Sequence, residues 1–390
     1  MTAPSRGRPR LLFVVNEAYF FVSHRLAIAR AARDAGFEVH LATPIDNVWA
    51  PSDYDPRSLA AEGITFHPIP LERRGRDPLA DLRTFVALLR LFRRVRPDIV
   101  HLVTIKPVLY GGLAARLARI SAAVSAVSGL GQIFTARGPR AAALRWLVCR
   151  LYAVATAHRN GRVIVQNGED AERLARAGAV ARERLVLIRG SGADLAAFVP
   201  RAEPGGTVTV LFASRLLWEK GVGEFVAAAR RLKAQGVAAR FVIAGNTTTA
   251  IASAVPESSL LAWVEEGSVA WWGRCADMPA VIASAHIVCL PSRYGEGVPK
   301  ILIEAAAAGR PIVATDIAGC REIVGNGDNG ILVAPGDSTA LADAIKSLVD
   351  DPARRRRMGE RGRAIACAGF GEQAVVERTL ALYAELLRAA

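Results

Sequence analysis

The stretch Pro291-Ser292-Arg293-Tyr294-Gly295-Glu296-Gly297-Val298-Pro299-Lys300-Ile301-Leu302-Ile303-Glu304 lies between an apolar run, Ala285 to Leu290, and an alanine-rich segment that stops at Gly309. The run reads as a buried strand and the alanine-rich segment as a helix. Gly295 and Gly297 let the backbone approach a ligand closely. Pro299 suits the first turn of a helix, where its missing N–H costs nothing. The unpaired N–H groups of that turn, with the positive end of the helix dipole, favour an anion such as a phosphate. Glu304 falls inside the helix, where a carboxylate can accept two hydrogen bonds from a vicinal diol, and Glu296 falls in the loop before it. A diphosphate, a ribose and a hydroxylated sugar are the matching cargo.

These residues also carry a resemblance. Glu296 and Glu304, set in Glu-Gly-Val-Pro and Ile-Glu-Ala, resemble the paired-glutamate motif of retaining nucleotide-sugar glycosyltransferases of family 4. Gly309 to Asp316, Gly319 to Val324 and Asn329 to Val333 continue the pattern, as does Ala213-Ser214-Arg215-Leu216-Leu217-Trp218-Glu219-Lys220-Gly221 upstream. The second half of the chain matches nearly throughout. The first half matches in outline and most resembles members that extend lipid-linked oligosaccharides. The resemblance implies an α/β protein of GT-B architecture, with two doubly wound Rossmann-like domains facing each other across a cleft. It also implies retention at the anomeric carbon, by front-face attack that needs no protein nucleophile.

The pattern along the chain agrees with two domains. Apolar strands are predicted near 11–15, 39–43, 98–104, 122–127, 163–166 and 185–188, alternating with helices at 24–35, 79–96, 111–119 and 140–157. Strands that are apolar throughout imply a parallel sheet covered on both faces. A second set is predicted at 208–213, 240–244, 268–272, 286–290, 311–314 and 331–333, with helices starting near 221, 257, 277, 298 and 338. The expected division is an acceptor-binding domain over 1–190, a Gly/Pro-rich linker over 191–206 and a nucleotide-sugar domain over 207–370. The resemblance adds a terminal helix, 371–390, that crosses back to the first domain.

The formal charge is +14, and its distribution is uneven. Residues 1–195 hold 29 Lys and Arg against 16 Asp and Glu, whereas residues 196–390 hold 21 against 20. A basic first half suits an anionic partner such as a phospholipid surface or a polyprenyl diphosphate. Nucleic acid is disfavoured, because no aromatic-basic interleaving or base-reading motif accompanies the charge. The helix at 79–96 sets Leu82, Phe85, Leu88 and Leu89 beside Arg83, Arg90, Arg93 and Arg94. It reads as a sheet-covering helix with a charged outer face, or as one resting on anionic lipid. Arg137, Arg140, Arg145 and Arg150 extend that basic surface. The arginines at 354–357 read as a solvated helix face. Five cysteines without close pairing or metal-ligand spacing fit a reducing cytosol. Leu11 to Val15 is too short and too soon interrupted for a signal sequence, and no apolar run is long enough to span a membrane. The expected location is the inner face of the cytoplasmic membrane, with peripheral attachment.

Arg215 and Lys220 flank a strand-to-helix turn. Two such cations can hold both phosphates of a nucleoside diphosphate and neutralise its charge as it leaves. Alone they would read as surface residues; beside Glu296 and Glu304 they read as catalytic. Glu304 is assigned to the ribose diol. Glu296, with the N–H groups of Gly297 and Val298, is assigned to donor-sugar hydroxyls. Gly245 and Arg274 follow strands and are candidates for base or ribose contacts. The tryptophans at 271 and 272 read as core.

In the first half, three loops are expected to carry the acceptor: Asn16 to His24, Lys106 to Gly112, and Ser128-Gly129-Leu130-Gly131-Gln132. The family's usual histidine is replaced here by Ser128 and Gly129, so its role does not carry over. A Gly-Leu-Gly at this place resembles lipid-linked amino-sugar transferases. His24, Lys106, Ser128, Gly129 and Gln132 are the acceptor candidates. His24 and His101 read equally as hydrogen-bonded structural residues, the commoner role of a lone histidine. Neither a metal-binding acidic pair nor a His/Cys cluster stands out, so no metal or other cofactor is expected, and the two cations take the metal's part. The implied activity moves an N-acetylhexosamine from a UDP-sugar to a polyprenyl-diphosphate-linked saccharide. The rivals are a sugar-nucleotide epimerase of the same architecture and a non-catalytic nucleotide-sugar-binding partner of a membrane complex.

Overall fold

A computed structural model describes residues 7–46, 48–49, 54–72, 77–131 and 138–389. Contacts divide the chain into two compact units, Met1–Ile188 with Val375–Ala390, and Arg189–Ala374.

The first unit is built on strands β1 (Arg10–Val15), β2 (Glu38–Thr43), β3 (Ile64–Pro68), β4 (Ile99–Val103), β5 (Ala122–Val127), β6 (Gly161–Val165) and β7 (Leu185–Leu187). All pair in parallel, in the order β3-β2-β1-β4-β5-β6-β7. Its helices are α1 (Ala18–His24), α2 (Leu26–Asp34), α3 (Pro78–Val95), α4 (Gly112–Leu117), α5 (Pro139–Ala155) and α6 (Gly168–Arg176). Side chains alternate across a strand, so each sheet face has its own core. Leu12, Val14, Val100 and Leu102 pack under α3, α4 and α5. Leu11, Phe13 and Val15 pack under α1 and α2. The sequence pattern missed β3, an edge strand whose burial is only partial.

The second unit holds β8 (Val208–Ala213), β9 (Ala239–Ala244), β10 (Ala270–Trp271), β11 (Ile287–Leu290), β12 (Ile312–Thr315) and β13 (Gly330–Val333), again all parallel, in the order β10-β9-β8-β11-β12-β13. Its helices are α7 (Val222–Ala234), α8 (Glu257–Glu265), α9 (Met278–Ala283), α10 (Lys300–Ala307), α11 (Ala318–Arg321), α12 (Ser338–Val349) and α13 (Pro352–Gly369). A last helix, α14 (Glu372–Arg388), leaves this unit, and from Val375 onward its residues belong to the first. Tyr383 and Leu386 of α14 are buried in the core that lies under α1 and α2.

Two expectations are corrected here. Residues 191–206 are no free spacer: Ala193 bridges to Gly371, and Arg363 donates to the carbonyls of Leu195 and Phe198. Arg355 leaves the solvated face expected for 354–357. It is 5% exposed and bonded to both carboxylate oxygens of Glu203, at 3.0 and 3.1 Å. The Gly/Pro-rich composition marked irregular backbone correctly, but the half-buried Arg363 guanidinium satisfies two of that backbone's carbonyls and buried Arg355 holds its Glu203 side chain against the unit.

Both sheets reverse their strand order once, between β1 and β4 and between β8 and β11. In open parallel sheets ligands settle outside the carboxyl ends of the strands at such a reversal.

Candidate active site

β8 and β11 are neighbours at the second unit's reversal point, and each feeds one of the two motifs read from the sequence. After β8 the chain passes Arg215 and turns through Trp218–Lys220 into α7. After β11 it runs through residues 291–299 into α10. The two loops touch. A Cβ on Gly221 would lie 2.0 Å from the Pro291 carbonyl oxygen, so only glycine allows the approach. The Arg293 N–H donates to the Glu219 carbonyl at 2.9 Å. On its other side the 291–299 loop meets α11, where a Cβ on Gly319 would lie 1.5 Å from the Gly297 carbonyl oxygen. Thr315 Oγ1 donates to the Ser292 carbonyl at 2.6 Å.

Inside this frame Lys220 Nζ forms an ion pair with Glu296 Oε2. Ser292 Oγ donates to the other oxygen, Glu296 Oε1. Lys220 is 8% exposed, and its Nζ lies 5.6 Å from the centre of the Tyr294 ring. Burial opposes the ammonium charge, but Glu296 and Tyr294 favour it and Arg215 opposes it less. The net effect holds the Lys220 pKa above its ordinary value. The Tyr294 hydroxyl is pushed up as well, chiefly by burial.

Glu304 lies on the second turn of α10, buried, with Lys300 Nζ 3.6 Å from its carboxylate. Burial pushes its pKa up to about 7, and Lys300 only partly offsets this. A carboxyl at that value changes charge near neutrality and gains from a ligand that donates hydrogen bonds to its ionised form. α10 starts at Lys300, two residues later than expected, and Pro299 precedes the helix instead of opening it. Val298 is buried in the unit's core.

At the end of β9, the Gly245 N–H donates to the Gly273 carbonyl at 2.7 Å, and the Gly245 carbonyl accepts from Trp271 Nε1 at 2.9 Å. Gly245 therefore lies beside the strand end that leads to Arg274. Both tryptophans pack on the core, as expected.

The first unit treats its candidates differently. Residues 18–24, expected as loop, form α1, and 107–111 form a π-turn that runs into α4. His24 Nδ1 lies 2.6 Å from Ser23 Oγ, and its ring stacks on Phe20 at 4.1 Å. His101 is buried and hydrogen-bonded to the Tyr383 hydroxyl, and burial holds its pKa well below the ordinary value. This bonding agrees with the structural reading of His101. Lys106 Nζ pairs with Asp81 at 2.7 Å. Ser128 and Gly129 follow β5 directly, and Gln132 lies outside the described residues.

Sequence reading missed several groups. Ser292 and Tyr294 were quoted but given no role, although they hold the Lys220–Glu296 pair. β1 and β4 pair as far as Val15 and Val103, so Asn16 and Thr104 leave adjacent strand ends. Asn16 Oδ1 and Thr104 Oγ1, with Thr43 Oγ1 at the end of β2, are buried without a hydrogen-bond partner among the described residues. Thr104 also holds φ at +76°, a conformation no sequence signal announces for threonine. Their position directly after apolar strands was the available clue.

Residues 10–167 match a family described as glycosyl transferase 4-like, and residues 207–351 match glycosyl transferases group 1. A relative in Campylobacter jejuni, N,N'-diacetylbacillosaminyl-diphospho-undecaprenol alpha-1,3-N-acetylgalactosaminyltransferase, is 25% identical over 97% of this chain and 99% of its own. Among solved structures, sucrose-phosphate synthase of Thermosynechococcus elongatus superposes with a TM-score of 0.79 at 21% identity, over 98% of this chain and 100% of its own. HepE of Anabaena, in complex with UDP and glucose, gives 0.77 at 19%, over 96% and 99%. At these identities the structural likeness speaks for the fold.

Proposed function

The chain belongs to the group 1 and family 4 glycosyltransferases, of GT-B fold, and on that premise we propose that it transfers an N-acetylhexosamine from a UDP-sugar to a polyprenyl-diphosphate-linked saccharide in the assembly of a surface polysaccharide. The observation that carries the proposal is the junction of the two loops at the β8/β11 reversal, where Lys220, Glu296 and Tyr294 meet within the field of Arg215. The donor's diphosphate binds beside Arg215 and Lys220, near the start of α10. Glu304 accepts from the ribose diol. Glu296, with the N–H groups of Gly297 and Val298, binds the sugar hydroxyls, and Gly245 and Arg274 take the base side.

The Lys220–Glu296 pair keeps an ammonium charged in a buried site before the donor arrives. Glu296 then shares Lys220 with the phosphate. The acceptor hydroxyl attacks the anomeric carbon on the face from which UDP departs. The bond to the β-phosphate oxygen breaks, that oxygen takes the acceptor's proton, and configuration is retained. The cations stabilise the departing charge, so the step runs without a metal. The first unit carries the acceptor, through Lys106, His24, Ser128, Gly129 and Gln132. The acceptor class is suggested by the Campylobacter relative, whose name specifies a diphospho-undecaprenol substrate.

The test is incubation with a panel of nucleotide sugars and polyprenyl-diphosphate saccharides, with and without a chelator, and product identification by mass. The expected product is the acceptor plus one N-acetylhexosamine, formed equally with chelator present. A new free sugar or sugar nucleotide formed without acceptor would establish the epimerase instead. Loss of turnover with chelator would overturn the metal-independent mechanism.

A further inference from the structure

Helix α5 is covered on one side only. Val148, Cys149, Tyr152 and Ala155 turn into the first unit. Leu144, Leu147, Leu151 and Val154, spaced three, four and three residues apart, form a separate row, and they are 46, 48, 44 and 49% exposed. Trp146 on the same helix is 66% exposed. Apolar residues at that spacing form a stripe with which a helix buries itself against something. Here no described residue covers the stripe.

The charge around it has one sign. Arg140 and Arg150 are exposed on α5, and Arg116 of α4 donates to the Val154 carbonyl at 2.8 Å. α5 contains no carboxylate. Between Asp98 and Glu169 the sequence has nine Lys and Arg and not one Asp or Glu. We infer that α5 lies in the headgroup layer of an anionic membrane, with Leu144, Leu147, Leu151 and Val154 at the acyl boundary, Arg140 and Arg150 at lipid phosphates, and Trp146 at the polar edge. An apolar stripe flanked by arginines and tryptophan is the composition of an interfacial helix. A second copy fits poorly, because self-pairing would oppose arginines with no carboxylate on either helix to answer them.

The assignment moves the lipid surface away from the helix singled out in the sequence. α3 turns Leu88, Leu91, Phe92 and Val95 inward, and among its large apolar residues only Leu79 and Leu82 stay exposed. Periodicity alone could not separate the two helices, because both carry leucines and arginines. The membrane role rests on the proposed lipid-linked acceptor for its purpose, while its evidence is the exposure and charge of α5.

The experiment is flotation of the full chain with vesicles of phosphatidylglycerol and phosphatidylcholine, and with phosphatidylcholine alone. The parent is expected to float with the anionic vesicles and to be released by salt. The double variant Leu147→Glu, Leu151→Glu is expected to lose about tenfold or more of that binding. Its thermal midpoint should hold, since both side chains already face water, and so should its transfer to a detergent-dispersed short-chain acceptor. Equal flotation of variant and parent overturns the inference. So does a parent that floats with neither vesicle, or a parent dimer that the variant dissolves. If the parent floats as expected but transfers no sugar, the proposed function fails and the membrane helix stands.

Discussion

The two units share one topology and use the ends of their strands in opposite ways. At the β8/β11 reversal the chain buries an ammonium against a carboxylate and props both with Ser292 and Tyr294. At the β1/β4 reversal the charged and imidazole candidates have partners within their own unit: His101 has Tyr383 and Lys106 has Asp81. The buried polar atoms left without a partner there, among the described residues, include the oxygens of Asn16, Thr43 and Thr104, along with Nε2 of His101 and Nε of Arg25. A doubly charged diphosphate is best held by charges fixed before it arrives, since the protein then need not reorganise. A neutral saccharide is recognised by amide and hydroxyl groups, for which an unpaired buried oxygen has the matching chemistry. The difference predicts that substitutions in the second unit act on turnover, and that those in the first act on stability or on acceptor KM.

The largest effect is expected at Lys220. Lys220→Ala should lower kcat by about a thousandfold, the order seen when a group that stabilises developing charge is removed. It should also cost stability, about 3 kcal/mol, because Glu296 would stay buried without its partner. Adding Glu296→Gln should restore much of that stability and none of the turnover. Steady-state rates and denaturant titration separate the two quantities. Turnover at parental levels in Lys220→Ala would remove the contrast between the units.

Next in size is a pH effect at Glu304. Its folded pKa is raised to about 7 by burial, against about 4.3 for an unperturbed glutamate. The folded state thus holds the proton more tightly than the unfolded state. The associated stability is fully present below the unfolded pKa and is lost as pH rises through 7. The loss amounts to about 4 kcal/mol relative to Glu304→Gln, which does not titrate. UDP should shift in the other sense. If the ribose diol donates to the carboxylate, affinity weakens as pH falls below 7 and binding near neutrality releases protons. Calorimetry in buffers of different ionisation enthalpy checks this. A parental proton release in Glu304→Gln would take the diol away from Glu304.

How much was legible follows from the same contrast. The motif around Glu296 and the turn around Lys220 could be read because glycine, proline and charge mark a loop that must approach an anion, and such marks survive without coordinates. Their direct pairing could not be read, because it depends on β8 and β11 being neighbours, which is a fact of strand order. In the first unit the residues with visible chemistry, His24, His101 and Lys106, drew attention, whereas the groups left open include an asparagine and two threonines of no sequence distinction. Likewise 18–24 read as part of a loop, yet Phe21 is buried and α1 forms there. The choice between α3 and α5 for the proposed lipid contact was unreadable for a related reason: which of their leucines turn inward is decided by neighbouring helices.

A smaller effect tests the first unit's structural pairing. Tyr383→Phe removes the hydroxyl that answers His101 inside the core. His101 Nε2 already lacks a partner among the described residues, so losing the one at Nδ1 should cost about a further 1–3 kcal/mol, with kcat unchanged at temperatures where the variant is folded. A drop in kcat without loss of stability would make His101 part of the chemistry.

The smallest effect, and the sharpest for the comparison, is expected at Lys106. Its ammonium pairs with Asp81, both side chains being about one-fifth exposed at 18% and 25%, and the Tyr110 hydroxyl also bonds Asp81. Lys106→Met therefore leaves the carboxylate with a remaining donor, and stability should fall by no more than about 1 kcal/mol. If Lys106 also meets the acceptor's diphosphate, KM for the diphosphate-linked acceptor should rise several-fold with kcat held. Asp81→Asn then decides between the two roles. It frees the ammonium from its counter-charge, so a diphosphate contact predicts a lower acceptor KM, opposite in sign to Lys106→Met. A purely structural pair predicts that both variants shift stability alike and leave KM where it was.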